Sequence, residues 1–226
     1  MDLTKQQMKK DELNDLVLAL VYWIKGNRTM FFNIVGIIAG IAIFTTFFLV
    51  RYHTLSLRGI DKLSIAQSIF FQGDAQRAIP MLNELIISYP DSEISTQARL
   101  TLAGIYFDQM NLQKAEETIK PNTVNSKPKS MMPLSLSELG TIQENAQKFS
   151  EAIKSYNEFL NKFPEHFLAP KTYESLGRVY ELSSSLAEAK STYEKLVALY
   201  PSSPWAQKAQ ERINMINLSS QPQPVK

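Results

Sequence analysis

The chain has 226 residues, with 24 basic and 22 acidic side chains for a net charge of +2, two histidines and no cysteine. That charge balance carries no electrostatic footprint for nucleic acid. The missing cysteine excludes disulfides, thiolate metal sites, a cysteine nucleophile and a lipid-modified cysteine, and two histidines do not make a histidine metal cluster.

Residues 1–29 form a short head. Leu13, Leu16, Val17, Leu20, Val21 and Ile24 recur at helical spacing and make one apolar stripe. Asp11, Glu12 and Asp15 stand in its first turn, where carboxylates complement the helix dipole. The run is too short to span a bilayer. It reads as an amphipathic helix lying on a membrane surface or gripping a membrane partner.

Met30–Val50 follows, 21 uncharged residues between Arg28 and Arg51. A helix of that length rises about 30 Å, the thickness of the hydrocarbon core, so a transmembrane helix is expected. The 29 residues before it and Arg51-Tyr52-His53 after it, a poor cleavage site, point to an uncleaved signal anchor. Gly36 and Gly40 form a G-x-x-x-G pair that permits close helix–helix approach and a homo-oligomer. Five basic residues in the head favour its staying inside. Residues 51–58 read as a stalk.

The rest repeats. Four windows of 37 residues start at Gly59, Thr96, Pro133 and Pro170. The eighth position is small (Ala66, Ala103, Gly140, Gly177) and the twentieth is always alanine (Ala78, Ala115, Ala152, Ala189). The twenty-fourth is large (Leu82, Ile119, Tyr156, Tyr193), and an aromatic–proline pair closes three units at Pro90, Pro164 and Pro201. Two antiparallel helices in close contact need small residues at their crossing, and proline ends the second of them. Trp205, Ala209, Ile213 and Ile216 add a last stripe suited to a capping helix.

This pattern resembles the tetratricopeptide repeat. The resemblance implies an all-α chain: an amphipathic helix, a transmembrane helix, then an α-solenoid of about four helical hairpins over 59–216. Its units lie near 59–95, 96–132, 133–169 and 170–206, with a cap at 205–216 and a disordered tail at 217–226. Some positions depart from the pattern. Only Gly73 is glycine at the fifteenth position, where the others have Met110, Gln147 and Ser184. Pro80 is expected to kink its helix. Gln143 replaces a large apolar group. The second helix of the second unit is expected to stop at Lys120, with Pro121–Ser130 an exposed loop.

In tetratricopeptide folds, the second, fifth, ninth, twelfth and thirteenth positions line a groove. Here they give Leu63, Phe70, Phe71, Leu100 and Phe107 in the first two units, and Glu174, Arg178 and Glu181 in the last. The groove is therefore expected to be apolar at the end nearest the anchor in sequence and charged at the other. Apolar grooves of this kind accept segments of other proteins.

No catalytic constellation occurs, so no enzyme and no cofactor are expected. Glu116-Glu117 and Asp91/Glu93 fall where a solvated helix face or loop is expected. Head, anchor and array together resemble bacterial single-pass inner-membrane proteins related to the ancillary subunit of the Sec translocon. That resemblance implies a cytoplasmic N-terminus and a periplasmic array acting as a scaffold near the translocon, with translocon, chaperone or client polypeptides as partners. Alternative readings are an organelle-surface receptor with a cytosolic array, or an oligomeric spacer in an envelope complex.

Overall fold

The computed structural model describes residues 15–219, and all its elements there are helices or turns. The chain divides into two compact units, Met1–Leu57 and Arg58–Lys226. In the first, α1 covers 15–26 and is followed by α2 (Arg28–Phe71), whose later turns belong to the second unit. Leu13 of the head stripe lies outside the described residues. Residues 51–58, read as a stalk, lie within α2.

The second unit is a succession of paired helices: the end of α2 with α3 (Ala75–Ser88), α4 (Glu93–Asp108) with α5 (Leu112–Val124), α6 (Met132–Asn145) with α7 (Phe149–Lys162), α8 (Ala169–Leu182) with α9 (Leu186–Leu199), and α10 (Pro204–Ser219) as a last helix. Each element packs against its chain neighbours, so the core is a row of linked clusters rather than one centre. The first gathers Leu63, Ala66, Leu82, Leu85, Leu102 and Ile105, and the last gathers Tyr193, Leu196, Ala209, Ile213 and Ile216. Residues 217–219, assigned above to a disordered tail, continue α10.

The four alanines at the twentieth position have no exposed surface. They pair with the eighth position as the contact demands. Where that position is glycine, a tyrosine ring from the second helix lies over it. A Cβ built on Gly140 would meet Tyr156 Cε1 at 2.4 Å, and one on Gly177 would meet Tyr193 Cε1 at 2.4 Å. The units with alanine there carry Leu82 and Ile119 instead of tyrosine.

Every first helix ends in the same way. The amides of Gly73 and Asp74 bond the carbonyls of Phe70 and Ile69 at 2.8 and 3.1 Å, and Met110/Asn111, Gln147/Lys148 and Ser184/Ser185 repeat this. This 5→2 and 6→1 pairing is a Schellman stop, which requires a left-handed residue. Gly73 (φ +90) meets that need freely, whereas Met110 (φ 59), Gln147 (φ 58) and Ser184 (φ 63) are strained. Replacing each of the three by glycine should stabilise the array by about 0.5–1 kcal/mol, after the entropy cost of glycine is deducted. The urea midpoint should rise in each variant, and Gly73→Ala should lower it.

Two local expectations are corrected. Helix α5 does not stop at Lys120 but continues through Pro121 to Val124. Asn122 is fully buried there and donates Nδ2 to the Thr96 carbonyl at 2.8 Å, tying the last turn of α5 to the start of α4. Pro121–Ser130 is exposed at most of its positions, as expected, but it is not a plain loop: its first four residues are helical, Asn122, Thr123 and Ser126 are buried, and a 3-10 turn covers Lys129–Met131. The Lys127 amide reaches Thr96 Oγ1 at 3.1 Å, so the segment is held by side chains that composition alone marks as loop formers. Pro80 sits inside α3, on an exposed face.

Candidate protein-interaction surface

The candidate groove residues stand on the first helices of the units, on what is taken as their inner face, and lie at different depths. Leu63 is buried and belongs to the first core cluster, so it is not free to contact a partner. Phe70 packs partly on that cluster, while Phe71 is 82% exposed. Leu100 and Phe107 are half-buried against the cluster of Ala103, Ile119, Leu139 and Ile142. The apolar end of the groove therefore offers Phe71 and the outer edges of Phe70, Leu100 and Phe107. In the first unit, Leu16, Val17, Leu20 and Val21 are exposed and Ile24 is half-buried, and a Cβ on Gly36 or Gly40 would meet nothing within 4 Å.

The charged end is not an open polar surface. Glu174 is 2% exposed, and Glu144, one unit earlier, is also largely covered. Arg178 joins them. Its Nε and Nη2 donate to the two oxygens of Glu144 at 2.7 and 2.9 Å, and its Nη1 donates to Glu174 Oε2 at 2.8 Å. This fork-on-carboxylate geometry is the strong form of a charged pair. Lys208 from α10 lies 2.6 Å from the other oxygen of Glu174. Arg212, also on α10, holds Glu181 through two nitrogens, and Tyr193 donates to the same carboxylate at 2.7 Å. Tyr156 donates to Glu144 at 3.1 Å in the matching place one unit earlier. A ladder of acid, tyrosine and base therefore bolts the third unit to the fourth, and the fourth to the cap.

Electrostatics follow this geometry. Burial is the largest influence on Glu181 and acts to raise its pKa, but the bonds from Arg212 and Tyr193 and the nearby cations outweigh it, leaving it below the usual carboxylate value. Burial and the facing carboxylates push the Tyr156 and Tyr193 hydroxyls up, so both remain neutral donors. Glu116, expected on a solvated face, is a second such site. Lys148 Nζ lies 2.6 Å from it and Gln143 Nε2 donates to it at 3.1 Å. Gln143 also accepts from Ser155 at 2.7 Å, which is how a polar group is tolerated where the other units are apolar.

Sequence reasoning singled out Glu174, Arg178 and Glu181 and also placed Glu144 on the groove and Tyr156 and Tyr193 in the repeat, but it did not pair them, and it missed Lys208 and Arg212. One signal was available: Glu144 and Arg178 are 34 residues apart, the separation that brings neighbouring units together across the inner face. Lys208 and Arg212 lie in the cap, where the 37-residue register ends and no spacing marks them.

Known proteins support this architecture. No curated protein matches the sequence. Among solved structures, MamA superposes with a TM-score of 0.58 at 19% identity, over 69% of this chain and 84% of that one. A Podosopora anserina putative kinesin light chain with nearly identical TPR-like repeats gives 0.59 at 16% identity, over 72% and 86%. Pseudomonas aeruginosa pilF gives 0.54 at 18% identity, over 71% and 68%. At such identities these likenesses establish the fold alone. Residues 23–215 match the family described as tetratricopeptide repeat-like domain, and the chain belongs to that family.

Proposed function

We propose that the protein is a membrane-tethered scaffold for protein–protein interaction. The observation that carries this reading is the apolar stretch Arg28–Phe48, 21 residues with a mean hydropathy of 2.1 and no part of it buried, in one chain with a tetratricopeptide repeat-like array. Phe32, Ile37, Ile43, Phe44 and Phe47 are each more than 60% exposed. Leaving such a side chain in water rather than burying it costs about 1.5–3 kcal/mol, and a bilayer removes that cost.

Within this reading the head stays in the cytoplasm and the array lies in the periplasm of a bacterial inner membrane. Its position beside a protein-translocating channel would let it engage emerging chains or the chaperones that receive them. The basic residues of the head and the order of head, anchor and array support that arrangement.

Membrane fractionation and protease protection test it. The full-length protein should stay in the membrane pellet through alkaline carbonate and leave it only with detergent. Protease added to spheroplasts should remove the array while the head stays protected. Release by carbonate would overturn the tether, and an array that resists external protease until the membrane is lysed would overturn the orientation.

A further inference from the structure

On the inner face, a 34-residue spacing sets the ninth position of one unit against the sixth position of the next, and the first such rung is bonded. In the first rung, Gln67 donates Nε2 to Thr101 Oγ1 at 3.1 Å, across a separation of 34 residues. The third rung is Thr141 and Ser175, and both are occupied. Thr141 Oγ1 lies 3.4 Å from the Tyr156 hydroxyl, and Ser175 Oγ accepts from Arg178 Nη2 at 3.3 Å.

The second rung, between them, is different. By the same 34-residue spacing it sets Gly104 against Glu138. Gly104 has no side chain to offer, and a Cβ built on it would meet nothing within 4 Å. Glu138 is half-buried, and among the described residues no hydrogen bond or ion pair reaches its carboxylate. Burial raises its pKa, the Lys171 charge lowers it without coming into ion-pair contact, and Asp108 adds to the raise. By contrast Glu116, Glu144, Glu174 and Glu181 all have basic partners. The notch over Gly104 is flanked on α4 by Leu100 and Phe107, one turn to either side, and by Asp108 at its edge.

We propose that this empty rung receives a lysine or arginine side chain from a segment of another protein bound along the inner face. The long alkyl stem of such a residue suits the walls of Leu100 and Phe107, and its charged end reaches the Glu138 carboxylate with Asp108 nearby. No apolar side chain would satisfy the carboxylate, and an acidic one would be repelled. The inference rests on the inner face being the interaction surface, and adds the charge of what it takes.

The test uses the full-length protein in detergent and a short fluorescent peptide carrying leucines around one central lysine. Two further peptides have glutamate or norleucine in place of that lysine. Binding is read by anisotropy in wild type, Glu138→Gln and Gly104→Gln. The last substitution places at the second rung the residue that Gln67 supplies at the first. Wild type should prefer lysine to glutamate by about tenfold or more. Glu138→Gln should erase the preference, and Gly104→Gln should close the notch while the melting temperature holds or rises. The proposal is overturned by equal affinity for the lysine and glutamate peptides, by a preference that survives both variants, or by no binding to any peptide. A Glu138→Gln change in sedimentation coefficient would also overturn it, by making a second copy of the chain the occupant. Charge-indifferent binding that Gly104→Gln blocks would reject the basic occupant yet leave the inner face as the interaction surface.

Discussion

Gly177→Ala should destabilise the array by about 1–3 kcal/mol, although alanine is the better helix former by about 1 kcal/mol. The added Cβ would stand 2.4, 2.7 and 2.8 Å from three carbons of the Tyr193 ring. That ring cannot simply swing away. Its side chain is 1% exposed, and its hydroxyl donates to Glu181 at 2.7 Å. Gly104→Ala is the matched contrast. Nothing lies within 4 Å of its new Cβ, so the same substitution should be stabilising by up to about 1 kcal/mol. Chemical denaturation of the two variants should give midpoint shifts of opposite sign. Gly177→Ala combined with Tyr193→Leu recreates the alanine–aliphatic pairing of the first two units and should lose less than the sum of the single changes. Strict additivity would mean that the tyrosine–glycine contact does not set this position.

Arg178→Ala should cost about 3 kcal/mol, the other large effect. The side chains of Glu144 and Glu174 are only 9% and 3% exposed, so removing their shared base strands carboxylates away from water. Lys208 remains beside Glu174, which keeps the loss from being larger. Lys162→Ala is the control: its partner Glu158 is 45% exposed, and the change should be under about 0.5 kcal/mol. Equal shifts in the two variants would mean that the ladder does not hold the third and fourth units together.

The helical pairs were legible in the sequence because their cause is local and periodic. Alanine at the twentieth position and a small residue at the eighth mark a close crossing, and the aromatic–proline pairs mark its end. Tyr89, Phe163 and Tyr200 are indeed the C-caps of α3, α7 and α9. What was not legible depends on partners in other units. Pro121 reads as a helix stop until Asn122 is seen to bond Thr96, 26 residues away. Leu63 reads as a groove residue from its position, but α4 covers it. Glu174, Arg178 and Glu181 read as a charged surface because single positions do not reveal that acid and base meet across a unit boundary. Gly140 and Gly177 hold the eighth position and lie under tyrosine rings, while Gly104 stands one residue later, at the ninth, with nothing over it.

The central claim, a tethered array whose inner face binds polypeptide, is tested most directly by comparing two faces of the protein in its own membrane. A photoreactive amino acid is placed at Phe71, an exposed ring of the candidate groove, and in a second variant at Lys154, on the exposed side of α7. After irradiation of intact cells, the membrane fraction should yield discrete crosslinked polypeptides from position 71 and few from position 154. Crosslinks of equal yield from both positions, or none from 71 with products from 154, would contradict the account.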